Sequence, residues 1–313
     1  MRSFALMDNK KPTVAILMAT YNGEKYISQQ IDSILNQSEV NVHFYISDDG
    51  STDNTLNIIQ GYKNKYKKKF KNIFKVNFKY PAKNFLSILL KITEKYDFYA
   101  FSDQDDVWYQ DKLITAINKI NHGHDLYCGR TENVDKNLTS IGYSTLFEFA
   151  TCFKNAIVQS IAGGNTMVFN HKVFELLKPS FNFEHHAHDW WTYLLTTFSG
   201  HKVFYDPFPK VMYRQHENNF NGSNLGLLNL LRRIIMGLLG RFKYWNNLNE
   251  KNLTEYLDFA THENLKIFYK FQYLRKKSTF LNFNPSHINR VGIYRQTTLG
   301  NWMLKLSFLL NRA

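Results

Sequence analysis

Residues 103–106 read Asp-Gln-Asp-Asp and follow an apolar run, Phe98-Tyr99-Ala100-Phe101-Ser102. Three carboxylates crowded at a strand end repel one another unless a cation or a donor-rich ligand sits among them. An all-oxygen site of this kind suits Mg²⁺ or Mn²⁺, ions that usually arrive with a phosphate-bearing substrate. Helix capping is the competing explanation, because Asp is favoured at helix N-termini and a helix is expected from near Tyr109. One Asp would serve as a cap, so the tetrad alone leaves both readings open.

The elements around the tetrad separate them. Thr13 to Ala19 is a continuous apolar run, as expected of a buried parallel strand. Tyr26, Ile27, Gln30, Ile31, Ile34 and Leu35 recur at helical spacing and predict a helix over 24–37. Strands follow over 42–47, 73–78 and 98–102, with helices over 53–62 and 82–94 between them. Alternating β and α segments with short connections predict an α/β fold with an open, mostly parallel sheet. Ligands of such sheets bind at the carboxyl ends of the strands. Three polar loops fall there: Thr20-Tyr21-Asn22-Gly23, Ser47-Asp48-Asp49-Gly50-Ser51-Thr52-Asp53, and the 103–106 tetrad. In the second loop a carboxylate could accept hydrogen bonds from a base or a ribose, and Thr52 or Asp53 also reads as a helix N-cap.

Beyond residue 125 the pattern predicts short strands over 125–128, 166–169, 202–205 and 210–213 and a helix over 188–198. The character changes at Leu225. Residues 225–245 are rich in Leu and Ile and carry Arg232, Arg233, Arg241 and Lys243. That composition suits an amphipathic helix in a membrane interface, or a helix packed on the preceding domain or on a second subunit. The expected division is a domain over 1–222 and a helical region over 223–313. The lysine run from Lys63 to Lys75 reads as a solvated connection.

The net charge of +13 suits an anionic partner: a nucleotide diphosphate, a membrane surface or nucleic acid. Cys128 and Cys152 form neither a metal-ligand spacing nor a disulfide framework. His185, His186, His188 and His201 lack a helical His-x-x-x-His pair, so zinc is not expected. No apolar run reaches the ~18–20 residues of a membrane span, and Met1 to Lys11 lacks the apolar core of a signal peptide. The expectation is a cytoplasmic protein, peripheral on the inner face of the membrane.

Ala19-Thr-Tyr-Asn-Gly23, Ser47-Asp-Asp-Gly-Ser-Thr-Asp53 and Ser102-Asp-Gln-Asp-Asp-Val-Trp108, in this order and spacing, resemble the family-2 inverting glycosyltransferases of the GT-A fold. With His188-Asp-Trp-Trp191 and Tyr213-Arg-Gln-His-Glu-Asn-Asn219 downstream, they resemble its bacterial rhamnosyltransferase-like branch. The likeness spans residues 12–220. It implies a role for each matching residue. Asp48 and Asp49 would contact the base and ribose, and Thr20, Tyr21 and Glu24 would frame the nucleotide. Asp103 and Asp105 would bind Mn²⁺ or Mg²⁺ and the donor diphosphate, with Asp105 the direct ligand. Asp106 would serve the metal or the donor sugar, and Gly164 would lie near the sugar and acceptor. His216 would lie near the metal and Arg214 near the diphosphate. Asp189 would be the general base.

One departure concerns the base. The family often carries a Glu-Asp pair where this chain has His188-Asp189. A histidine there could hold the carboxylate ionised, where a Glu would push it towards protonation. The Gln-x-x-Arg-Trp motif of processive members is absent, which implies one sugar per event. By resemblance the donor is dTDP-L-rhamnose, with a UDP-hexose or UDP-N-acetylhexosamine as the alternative. The acceptor is a saccharide or a lipid-linked saccharide in surface polysaccharide synthesis. Nucleic acid is not expected, and the C-terminal helices could pair two copies of the chain. Two readings outside the family stand beside it: a non-enzymatic basic protein that binds polyanions or membranes, and a nucleotidyltransferase, which would want a Gly-rich basic first loop that is missing here.

Overall fold

In the computed structural model, which describes residues 10–216, 240–277, 284 and 286–313, the chain is built on β1 (Thr13–Thr20). Val14, Ile16 and Met18 of this strand enter one core cluster, and Ala15 and Leu17 enter the other. Both faces are therefore covered, which is why the strand is apolar throughout rather than alternating. β2 (Asn41–Asp48), β3 (Phe70–Lys75) and β4 (Phe98–Ser102) join it in a seven-stranded sheet. The remaining strands of that sheet are β6 (Leu126–Gly129), β9 (Val168–Asn170) and β10 (Val203–Asp206). Their order is β10-β6-β9-β4-β1-β2-β3. All neighbours are parallel except those of β9, which runs against both β4 and β6.

The register places the site. Thr20 at the end of β1 pairs with Asp48 at the end of β2, and Met18 pairs with Ser102 at the end of β4. The three polar loops consequently leave three adjacent strands at one edge. The chain steps from β1 out to β2 and β3, then crosses to the other side of β1 for β4, and this reversal opens the crevice used by ligands in such sheets.

A second, four-stranded sheet has the order β5-β11-β7-β8, from β5 (Val107–Trp108), β7 (Glu132–Val134), β8 (Ser140–Tyr143) and β11 (Val211–Arg214). Sequence periodicity marks only β11, because two to four residues are too few to display a period of two. The expected strand over 73–78 lies earlier, at 70–75, where Phe70 is buried and stacks on Phe44 at 4.6 Å. The lysine run thus includes an edge strand, whose charges discourage further pairing.

The helices are α1 (Ile27–Leu35), α2 (Thr55–Lys65), α3 (Pro81–Leu89), α4 (Lys112–Asn121), α5 (Phe153–Ala156), α6 (His171–Leu177) and α7 (His188–Phe198), then α8 (Arg241–Leu253), α9 (His262–Lys277), α10 (Ser286–Val291) and α11 (Thr298–Leu309). The last four do not own a separate core. Phe268, Phe271, Leu274, Ile288 and Phe308 share one cluster with Phe153, Trp190 and Phe198. Most of the basic, leucine-rich 225–245 segment lies outside the described residues. Of its described end, Trp245 stacks on His186 at 3.9 Å and meets Trp190 edge-on at 6.1 Å. Among the described residues no helix is long and apolar enough to cross a membrane.

Candidate active site

The four side chains of the tetrad leave β4 in four directions. Asp103 is partly exposed and its carboxylate accepts no hydrogen bond from the described residues. Desolvation, with Asp105 and then Asp189 nearby, pushes its pKa up to about 7. Gln104 turns back to the first loop. Its Nε2 donates to the Tyr21 carbonyl and its Oε1 accepts from the Tyr21 amide, both at 2.9 Å. Asp105 meets His216, with Nε2 and Oδ2 2.9 Å apart. Asp106 points inward and is fully buried. Its Oδ2 accepts from the Asn165 amide at 2.6 Å and its Oδ1 from the Arg214 backbone N–H at 3.2 Å.

Arg214 likewise belongs to the frame. Nε donates to the Asp105 carbonyl at 2.9 Å, Nη1 to the Lys136 carbonyl at 2.7 Å and Nη2 to Gln29 Oε1 at 2.6 Å. The guanidinium lies over the Tyr26 ring at 4.4 Å, and the residue is 1% exposed. Its fork is spent on fixing the tetrad loop, which leaves Asp105 and His216, not Arg214, at the open side.

The first two polar loops show the same division. Asp48 is fully buried and accepts from Thr20 Oγ1 at 2.8 Å, Ser51 N at 2.8 Å and Ser51 Oγ at 2.6 Å. It ties the end of β2 to the end of β1. Asp49 accepts from the Phe78 amide through Oδ1 at 2.6 Å, while Oδ2 accepts no hydrogen bond among the described residues. Gly50 makes this turn possible with φ of +85°. Glu24 accepts from the Asn54 amide at 2.8 Å ahead of α2. The Tyr21 side chain is 57% exposed at the mouth.

Asp189 stands in the first turn of α7. Ala187 offers no side-chain cap, and Asp189 Oδ1 accepts from the Trp190 amide at 2.6 Å. Burial pushes its pKa up to about 6 against the hydrogen bonds of the Trp190 and Gly164 amides, which pull it down. Two tryptophans hold the helix in place: Trp190 Nε1 donates to Ala156 O and Trp191 Nε1 to Ser180 Oγ, each at 2.7 Å. Truncating either buried indole to Ala costs about 3–5 kcal/mol.

The neighbouring histidine does not act as a cation. His188 stacks on Phe85 at 4.0 Å, its Nε2 is buried without a hydrogen-bond partner, and burial lowers its pKa to about 3. Of the two effects that a neighbour could have on Asp189, the histidine does not supply the ionising charge: the imidazole is neutral and acts by shape. A Cβ on Gly164 would meet His188 Nε2 at 2.2 Å, so the short turn Gly164–Thr166 approaches α7 only with glycine there. His185 is structural, with Nε2 2.8 Å from the Ser180 carbonyl.

Sequence reasoning missed Gln104 and Lys112. Lys112 is fully buried; its Nζ donates to the Asn165 carbonyl at 2.6 Å and sits 3.1 Å from the Trp108 ring centroid. Burial drives its pKa well down, while Asp106 and Asp103 oppose that shift. A lysine at the start of a helix carries no sequence signal of burial. Among the described residues, no three His, Cys, Asp or Glu side chains are set to hold a metal by themselves.

The family model for glycosyl transferase family 2 matches residues 15–200. The chain is 33% identical over 234 residues to dTDP-rhamnosyl transferase RfbG of Shigella flexneri, covering 69% of this chain and 78% of that one. The chain belongs to glycosyl transferase family 2. As a family-2 glycosyltransferase it is an enzyme, which sets aside the polyanion-binding and nucleotidyltransferase readings. Solved structures match its fold. S. aureus TarS 1–349 in complex with UDP-GlcNAc aligns at TM-score 0.55 and 18% identity, over 96% of this chain and 89% of that one. Mannosyltransferase PcManGT from Pyrobaculum calidifontis, in complex with GDP-Man and Mn2+, aligns at TM-score 0.51 and 13% identity, over 97% and 86%. The mostly parallel sheet with its helical C-terminal region is the GT-A arrangement.

Proposed function

We propose that this family-2 enzyme transfers a single sugar, with inversion, from a nucleoside diphosphate donor to a saccharide or lipid-linked saccharide acceptor. The observation that carries the reading is the placement of Asp189. It is a partly open carboxylate on a rigid helix, near enough for its charge to raise the pKa of Asp103. Donor and base would thus share one crevice at the strand ends.

In this mechanism the acceptor hydroxyl attacks the anomeric carbon as Asp189 takes its proton. The glycosidic bond to the acceptor forms, the bond to the diphosphate oxygen breaks, and the nucleoside diphosphate leaves with the electron pair. Asp49 Oδ2 and the exposed Tyr21 receive the nucleoside, while Asp48, Asp106 and Arg214 hold the loops in place.

A divalent metal fits the residues present. The Asp103 carboxylate, without a hydrogen-bond partner among the described residues, and the Asp105–His216 pair form an oxygen and nitrogen donor set that the donor diphosphate would complete. Mn²⁺ or Mg²⁺ held by Asp105, with Asp103 and His216, would neutralise charge developing on the leaving diphosphate.

The donor we favour is dTDP-L-rhamnose, supported by the name and 33% identity of RfbG; a UDP-hexose or UDP-N-acetylhexosamine is the second reading. We place the reaction at the cytoplasmic face of the membrane, where lipid-linked acceptors would be presented. Calorimetric titration with dTDP-rhamnose, UDP-glucose and UDP-N-acetylglucosamine, in Mn²⁺ and in EDTA, tests this reading. Metal-dependent binding of dTDP-rhamnose alone is expected. Binding of a UDP-sugar in its place would overturn the donor assignment, and equal binding in EDTA would overturn the metal.

A further inference from the structure

Lys112 is in an expensive position. It is the first residue of α4, where the helix dipole disfavours a cation, and it is fully buried, where desolvation disfavours any charge. What surrounds it explains the placement. Its Nζ donates to the Asn165 backbone carbonyl at 2.6 Å and packs on the face of Trp108, two residues beyond the tetrad. The side chain of the same Asn165 donates to Asp106 at 2.6 Å. Asn165 is therefore gripped twice, through its main chain by α4 and through its side chain by the tetrad.

The gripped turn faces the base. Gly164 comes immediately before Asn165, its amide is near enough to lower the pKa of Asp189, and it packs against His188 with no room for a Cβ. Thr166 continues the turn, accepting from the Gly129 amide through Oγ1 at 3.3 Å and donating from it to the Gly163 carbonyl at 2.8 Å. A chain of contacts thus runs from Lys112 through the 163–166 turn to the N-terminus of α7.

We infer that Lys112 is a positioning residue: its buried Nζ locks the 163–166 turn to the tetrad loop and so sets the spacing between the donor side of the crevice and Asp189. The kinetic half of this inference rests on Asp189 being the base; the structural half does not.

Lys112→Met keeps the length and the contact with Trp108 but removes the ammonium. Hydrogen exchange followed by mass spectrometry should show the amides of 163–166 exchanging about tenfold faster, with β1 and β4 unchanged. In the same variant kcat should fall by about 10- to 100-fold, the loss expected of a misplaced reacting group, while the Kd for donor stays within about threefold of wild type. Unchanged exchange in the turn would overturn the inference, as would acceleration spread evenly over the sheet of a folded variant. A donor Kd weakened as much as kcat would also overturn it. Should the methionine variant fail to fold, Lys112→Ala with added propylammonium decides the matter. Recovery of protection at 163–166 with the cation but not with propanol supports the role; equal recovery with both, or none with either, removes it. If Asp189→Asn retains transfer, the base reading fails, yet the exchange result still decides what Lys112 does.

Discussion

Gln104 and Tyr21 form a two-point clamp: the side-chain amide of one meets both backbone polar groups of the other at 2.9 Å. The tetrad loop is thereby fastened to the first polar loop by groups that neither a carboxylate nor an ammonium could replace, since one end donates and the other accepts. Gly23 stands beside the clamp, and a Cβ there would lie 2.3 Å from Gln104 Oε1.

Two substitutions test the clamp. Gln104→Glu loses the bond to the Tyr21 carbonyl and adds a third adjacent charge to Asp103 and Asp105. Gly23→Ala pushes the amide off its partners. Each should weaken donor binding about fivefold or more, the equivalent of at least one net hydrogen bond. Calorimetry with and without Mn²⁺ measures it, and an unchanged Kd in both variants would show that the clamp does not shape the donor site.

Asp189→Asn should reduce kcat by about 10²–10⁴-fold and leave the Kd for donor within about twofold, because the proposed role of Asp189 is to meet the acceptor. Comparable losses in kcat and donor affinity would place Asp189 in donor binding instead.

The pH profile follows from burial. Only the carboxylate form of Asp189 accepts a proton, and its pKa is raised to about 6. With donor and Mn²⁺ saturating, so that protonation of Asp103, itself raised to about 7, does not limit the rate, transfer should be half-maximal near pH 6 and fall about tenfold per unit below it, whereas an ordinary carboxylate with pKa about 4 would keep the rate flat down to pH 5. His188 is already neutral across this range, so His188→Gln should leave the limb where it is. A limb that moves with that substitution would assign it to the histidine.

Gly164→Ala places a methyl 2.2 Å from His188 Nε2. Overpacking of this kind costs about 1–3 kcal/mol, and the displaced turn carries the Gly164 amide that helps to hold down the pKa of Asp189. Thermal unfolding should show the loss of stability, and kcat should fall with it. A pairing with His188→Ala, which opens the space, should recover part of both; no recovery would mean that the contact is not what requires glycine.

Asp105→Ala should abolish the Mn²⁺-dependent part of donor binding while leaving the metal-independent remainder, read as heats of binding in Mn²⁺ and in EDTA. His216→Ala should weaken the same part less, because an imidazole ligand, unlike a carboxylate, brings no negative charge to the cation. Metal dependence that survives in Asp105→Ala would move the direct ligand to Asp103.

Much of this protein was legible before folding was considered. The apolar strands and 3.6-residue helices of the first half follow from periodicity, since a strand covered on both faces must be apolar throughout, as β1 is. The three polar loops could be ordered from their positions after those strands, and that shared placement, not the charge of the tetrad alone, pointed to cation chemistry. Tertiary structure decided which carboxylates remain open. Asp48 and Asp49 are neighbours of the same type, yet one is fully satisfied by Thr20 and Ser51 and the other keeps Oδ2 free among the described residues. Asp106 and Arg214 carry the charges expected of ligand-binding groups but are turned inward by partners 59 and 108 residues away along the chain. The buried Lys112 and neutral His188 were invisible for the same reason: a side chain's type states what it can do, but desolvation and long-range partners, which exist only in the fold, set its charge and direction.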